Sequence, residues 1–181
     1  MNALIFLIET FSRLYMLTFL LRIMLQLARA DFYNPISQFV VQITNPLVVP
    51  ARRIIPSLRG FDMPTLVVLY LLQIAFSVLI FVLRGFLPSI GQLLVIALFE
   101  LLNAAVWAYV ICIFAYVLLS WFGQAYNPIA VFMNQIVEPL LRPARRLLPH
   151  VGGLDLSPMI VIIFLMAALI AVGDLQSMML S

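Results

Sequence analysis

The chain contains no lysine, one cysteine and one histidine, and only 9% of its 181 residues are charged. A water-soluble domain carries about a quarter charged residues. Each scarcity removes a class of function. Cys112 lies inside an apolar run, so it has no partner for an internal disulfide and packs as a small core residue. His150 sits beside a proline with no second His or Cys near it, which leaves no metal-ligand set and no nucleophile-base pair. The pair Gly152 and Gly153 makes a turn and lacks the spacing of a phosphate-cradling loop. All ten basic residues are arginine, and most stand between apolar stretches rather than on a face shared with exposed aromatics, so nucleic acid is not the expected partner. The reading is of a protein that is not an enzyme, with no catalytic residue, cofactor or metal.

What is abundant is hydrocarbon: 65% of the residues are apolar. Four blocks, 3–27, 64–87, 90–122 and 158–180, each reach the roughly 20 residues that cross about 30 Å of bilayer as a helix. The third is longer than one crossing, so its first turns, near 91–97, are expected in the outer interface or tilted, with the span itself at about 98–122. Scattered Met residues fill space between spans. Trp107 falls deep within the third block and Trp121 near its end, at the depth of an interface anchor. Ala28-Arg29-Ala30 imitates a cleavage site, but no basic residue precedes the first apolar stretch and Arg22 interrupts it; the segment reads as retained.

Arg29, Arg52, Arg53 and Arg59 lie between the first two blocks, and Arg142, Arg145 and Arg146 between the last two. The middle connection has only Arg84 beside it. The positive-inside rule makes both Arg-rich loops cytoplasmic and places both termini on the periplasmic side of a bacterial inner membrane.

The chain also repeats itself. At an offset of 93, Tyr33-Asn34-Pro35-Ile36 matches Tyr126-Asn127-Pro128-Ile129, and Pro50-Ala51-Arg52-Arg53 matches Pro143-Ala144-Arg145-Arg146. From Tyr33 to Asp62 the copies agree at 16 of 30 positions without a gap, which chance does not produce. The expected fold is therefore an all-α integral membrane protein of two tandem repeats, 1–87 and 90–181. Each has two transmembrane helices joined by a cytoplasmic amphipathic helix and an Arg/Pro-rich turn. A unit that crosses twice re-enters from the same side, so the repeats are parallel.

Within each copy, Asn34 or Asn127 is set as a helix N-cap with proline at the first helical position, where a missing N–H costs nothing. The amphipathic helices are expected over 35–47 and 128–140. Ile36, Phe39, Val40, Ile43 and Leu47 form the apolar face of the first, matched by Ile129, Phe132, Met133, Ile136 and Leu140. The prolines that follow argue for a tight bend at headgroup level. There Arg52, Arg53, Arg145 and Arg146 can take lipid phosphates or close on Asp62 and Asp155. Anionic membrane lipids, a cytoplasmic protein partner and a second copy of the chain are the partners this reading admits.

Ionisable side chains inside apolar blocks, Arg22 among them, are functional candidates by default. Glu9, Arg13, Arg84, Glu100 and Asp174, with Asn103, are read as one polar cluster in the outer half of the membrane. Glu9 and Arg13, four apart, are expected to pair along one helix face, and Glu100 to meet Arg84 or Arg13 from a neighbour or to hold a cation.

The tandem Asn-Pro-Ile and Pro-Leu-x-x-Pro-Ala-Arg-Arg elements, flanked by paired spans, resemble the YggT family over essentially the whole chain. Leu20-Leu21-Arg22-Ile23 and Ser120-Trp121-Phe122 resemble its first-unit and second-unit patterns. The resemblance implies the membrane fold. For the two-unit Gram-negative type it implies a link to tolerance of osmotic shock and to ion uptake; cyanobacterial and plastid relatives are linked to nucleoid or division organisation and to cofactor attachment. It brings no shared catalytic residue. Two functions follow as expectations: a membrane protein of osmotic or envelope stress that passes or regulates an ion, or a scaffold whose paired Arg-rich loops recruit a partner or lipid.

Overall fold

The computed structural model describes residues 2–30, 33–58, 60–121, 127–147 and 155–180, and these form six helices. They are α1 (Asn2–Leu27), α2 (Pro35–Arg52), α3 (Met63–Leu83), α4 (Ile90–Trp121), α5 (Pro128–Leu147) and α6 (Ser157–Leu180). Four of them, α1, α3, α4 and α6, are long and apolar enough to cross a membrane, and the chain is a multi-pass membrane protein. Their outward faces carry Leu71, Val82, Ile111, Phe164 and Ile170, all more than half exposed. Such a surface is stable only where hydrocarbon covers it.

Asn34 caps α2 as expected: its backbone is extended, its side chain accepts from the Ile36 N–H at 2.9 Å, and Pro35 occupies the first turn. Asn127 accepts from the Ile129 N–H at 2.9 Å in the same way. The ends of these helices depart from expectation. Neither stops at 47 or 140: α2 continues through Pro46 and Pro50 to Arg52, and α5 through Pro139 and Pro143 to Leu147. In each helix the two prolines are four residues apart on the exposed side. The carbonyls that lose their N–H partners therefore face outward, where they can be solvated, and the helix survives. The long helices shift too. The second apolar helix ends at Leu83 rather than 87, and α4 is already helical at Ile90, at about 1.5 Å per residue an element near 48 Å long.

The buried face of α2 also differs. Ser37, Val40, Thr44 and Val48 are buried, while Phe39 and Leu47, placed on the apolar face from sequence, point outward. Small side chains let α2 approach the bundle closely, and its larger apolar residues are left for the surroundings. Within each half the helices pair alike: α1 with α3, α1 with α2 and α2 with α3, then α4 with α6, α4 with α5 and α5 with α6. The halves join through α3 and α4, α1 and α4, α2 and α5, and α1 and α5. One core gathers Met24, Leu25, Ile113, Phe132, Ile136 and Leu141; a second gathers Phe19, Ile23, Val48, Leu69 and Leu101. Both place α2 or α5 against the Arg-rich end of the long helices.

Candidate functional site

At the Arg-rich end of the first half, Asp62 stands just ahead of α3, and its carboxylate gathers groups from three helices. Arg52 of α2 donates to Oδ2 at 2.6 Å, Thr65 of α3 donates to the same oxygen at 2.7 Å, and Nε of Arg22, from α1, lies 3.6 Å away. Arg22 is 5% exposed, although a buried guanidinium is costly unless paired and hydrogen-bonded. Its Nη1 donates to Thr44 Oγ1 at 2.5 Å and to Asn45 Oδ1 at 2.9 Å. Gln26 closes the turn: its oxygen accepts from the Asp62 backbone N–H at 3.0 Å and its amide donates to the Gly60 carbonyl at 2.5 Å. Gly60 has φ +84°, a left-handed conformation that glycine adopts at little cost. Burial pushes the Asp62 carboxyl up. The hydrogen bonds from Arg52 and Thr65 and the charges of Arg52 and Arg22 outweigh it and hold the carboxyl below the usual carboxylate range.

The second half builds a related centre from a different charge set. Arg145 of α5 donates from Nε to Asp155 Oδ2 at 2.8 Å, from Nη1 to Glu138 at 2.5 Å and from Nη2 to the Tyr116 hydroxyl at 3.1 Å. Asp155 also accepts from the Ser157 N–H at 2.9 Å. Burial alone would lower the Arg145 pKa and raise that of Asp155. The contacts with Asp155 and Tyr116 instead raise Arg145, and Ser157 and Arg145 lower Asp155.

Position by position at the offset of 93, Ala115 stands where Arg22 would be and Glu138 where Asn45 is. In the first half two guanidiniums serve one carboxylate. In the second, one guanidinium serves two carboxylates, and Arg145 does the work of both Arg52 and Arg22. Arg53, Arg142 and Arg146 are exposed and join no ion pair among the described residues.

The long helices carry a separate set of polar groups. Glu9 pairs with Arg84, from α1 to α3, and not with Arg13. The interhelical partner wins because α1 and α3 pack together and bring Arg84, just past the end of α3, to Glu9. Arg13 is exposed and joins no ion pair among the described residues. Glu100 of α4 meets neither arginine. One of its carboxylate oxygens accepts from the Gln73 amide and from Ser77 Oγ, the latter at 3.1 Å. Gln73 is the middle residue of α3, and its own Oε1 is buried with no hydrogen-bond partner among the described residues. The expected single cluster is thus divided: Glu9 and Arg84 at one place, Glu100 with α3 at another. Asn103 is half-buried one turn further along α4, and Asp174 is exposed near the far end of α6.

Sequence reasoning about the site left out Gln26, Thr44, Thr65, Gln73, Ser77, Tyr116 and Glu138. Gln73 and Ser77 did carry a signal, being polar residues four apart within an apolar span. Arg22 likewise stood out as a guanidinium inside the first apolar block. His150, Arg59, Gly152 and Gly153 lie outside the described residues. Among the described residues no group of three or more His, Cys, Asp or Glu could hold a metal ion.

Comparison with known proteins agrees with the pattern of the chain. A family model described as CCB3/YggT matches residues 1–83 and 95–176. The chain is 41% identical to the uncharacterized protein YggT of Escherichia coli strain K12 over 165 residues, covering 91% of this chain and 86% of that one. It is 41% identical over 177 residues to an uncharacterized protein in the proC 3′ region of Vibrio alginolyticus, covering 97% and 96%. An uncharacterized protein of Pseudomonas aeruginosa is 44% identical over 160 residues, covering 87% and 81%. No solved structure matches.

Proposed function

The chain belongs to the CCB3/YggT family, and from that premise we propose that it is a non-enzymatic protein of the bacterial inner membrane. In this reading it passes a small cation, or regulates its passage, under osmotic or envelope stress. The observation that carries the reading is Glu100: an exposed residue on a membrane-length helix whose carboxylate accepts from the neutral donors Gln73 and Ser77 and joins no ion pair among the described residues. The buried, unpartnered Gln73 oxygen beside it adds a second acceptor. Oxygen acceptors without a countercharge are what a small cation requires. The two halves act as parallel repeats with both termini periplasmic. Their like helix pairings and the Arg-rich ends of α2 and α5 support that topology.

The test is cation flux through purified protein in liposomes, with potassium, sodium and protons followed separately. Glu100→Gln should lower flux at least tenfold while leaving the helical content unchanged. No flux from the wild type would end this reading.

The scaffold reading rests on a different observation, the exposed guanidiniums of Arg53, Arg142 and Arg146, which join no ion pair among the described residues. It gains if Arg53→Ala with Arg146→Ala removes stress tolerance in cells while Glu100→Gln does not. In that reading anionic lipid, a cytoplasmic protein or a second copy of the chain takes the arginines.

A further inference from the structure

Between the end of α4 and the start of α6 lies a cavity of about 490 Å³. One wall is apolar, made by Phe114, Val117, Trp121, Met159 and Ile162; Asp155, Tyr116 and Ser120 bring polar groups to it. The internal repeat supplies the comparison that gives this cavity meaning. At the corresponding place in the first half, Met24 stands for Val117 and Leu69 for Ile162, and both are buried, at 3% and 1%. The first half is closed at these two positions, where Val117 and Ile162 are only half-buried, and Trp121, in place of Ala28, stands at the crevice 73% exposed.

Charge differs at the same place. Asp62 is neutralised by Arg22 and Arg52. Among the described residues Asp155 and Glu138 share Arg145 alone, and their side chains are 32% and 37% exposed. Among the described residues the second half is therefore one cation short, at the Arg-rich end of the span, where lipid headgroups lie in a topology with both termini periplasmic. Among the described residues the Asp155 carboxylate accepts from Arg145 Nε and from the Ser157 N–H, and a carboxylate has about four lone-pair sites for donors.

We propose that this crevice binds a phospholipid whose headgroup carries a primary ammonium. The ammonium rests on Asp155 and supplies the charge that Arg22 supplies in the first half, and an acyl chain lies along Phe114, Val117 and Ile162. A cavity of this volume accommodates a small ligand or part of a chain. The net negative centre disfavours an anionic headgroup, and a quaternary ammonium lacks the N–H that a carboxylate would bind. The assignment is independent of whether the protein passes ions.

The experiment uses the full chain with Trp107→Phe, which leaves Trp121 as its only tryptophan, reconstituted in choline-lipid vesicles. Trp121 fluorescence is quenched by lipids brominated on the acyl chain and bearing ethanolamine, choline or glycerol headgroups. The ethanolamine lipid should reach half-quenching at roughly tenfold lower mole fraction than the choline lipid, the lower end of the worth of one charge-assisted hydrogen bond. Asp155→Asn should erase that preference and Asp155→Glu should keep it. Ala115→Arg, which installs the missing guanidinium without touching Asp155, should erase it as well and covers the case in which Asp155→Asn fails to fold. Equal quenching by all three headgroups overturns the proposal. So does preference for the glycerol headgroup, which would instead assign the crevice to the exposed arginines.

Discussion

Arg22 and Asp62 face each other inside the bundle, Nε to Oδ2 at 3.6 Å, each with a side chain only 7% exposed. Neither charge would be stable there alone. Arg22 comes from the interior of a long apolar helix and Asp62 from the turn before the next. Their pairing therefore ties α1 to α3 through α2, whose Thr44 and Asn45 hold the same guanidinium.

Removing one member of a buried pair strands the other. Asp62→Ala should cost about 3–5 kcal/mol, seen as a large drop in the thermal unfolding midpoint in detergent. Arg52→Ala should cost about 1 kcal/mol or less, because that side chain is 48% exposed and Arg22 stays beside the carboxylate. Equal losses from the two variants would contradict the reading that Arg22 and Thr65 keep the carboxylate paired once Arg52 is gone.

Acid should weaken the fold through the same carboxylates. Asp62 and Asp155 are both held below the usual carboxylate range in the folded protein. Their contribution is complete above the unfolded value, about pH 4. It is lost as the pH falls through the lower folded value. Stability should stay level between about pH 8 and 5 with respect to these groups and fall below about 4. Asp62→Asn should flatten part of that acid slope; an unchanged slope would count against it.

Glu9 and Arg84 should couple weakly. With the arginine 53% exposed, a double-mutant cycle of Glu9→Gln and Arg84→Ala should return about 0.2–1 kcal/mol. The cycle of Glu9→Gln with Arg13→Ala should return no coupling. A larger value for the second cycle would restore the pairing along α1 that helical spacing suggested.

The Asn34 cap should do more than close its own helix. Asn34 also donates from Nδ2 to the Pro128 carbonyl at 2.9 Å, linking the start of α2 to that of α5. Asn34→Ala should thus cost about 2 kcal/mol, one for the cap and one for the cross-link. The unfolding midpoint of Asn34→Ala in detergent reads that sum; a loss of only about 1 kcal/mol would count against the cross-link.

The membrane class, the four apolar helices and the family were all legible in the chain, because span length and apolar content are local properties that need no partner. The caps at Asn34 and Asn127 were legible for the same reason, since the cap bond closes within two residues. The bounds of α2 and α5 were less so. Proline argues for an end, and only the exposure of Pro46, Pro50, Pro139 and Pro143 explains why the helix continues.

What the sequence by itself determined is where each helix forms and which charges exist. What the tertiary structure decided is which charge meets which. Glu9 had Arg13 one turn away and took Arg84; Glu100 had two arginines proposed for it and took Gln73 and Ser77. The repeat places matching residues in both halves, yet Ala115 in place of Arg22 and Glu138 in place of Asn45 reverse the charge balance around Asp155. That difference acquires its meaning once Arg145 is seen bridging both carboxylates. Pairing between helices depends on rotation and depth in the bundle. Those are set by the packing of all six helices together, a property that no single segment encodes.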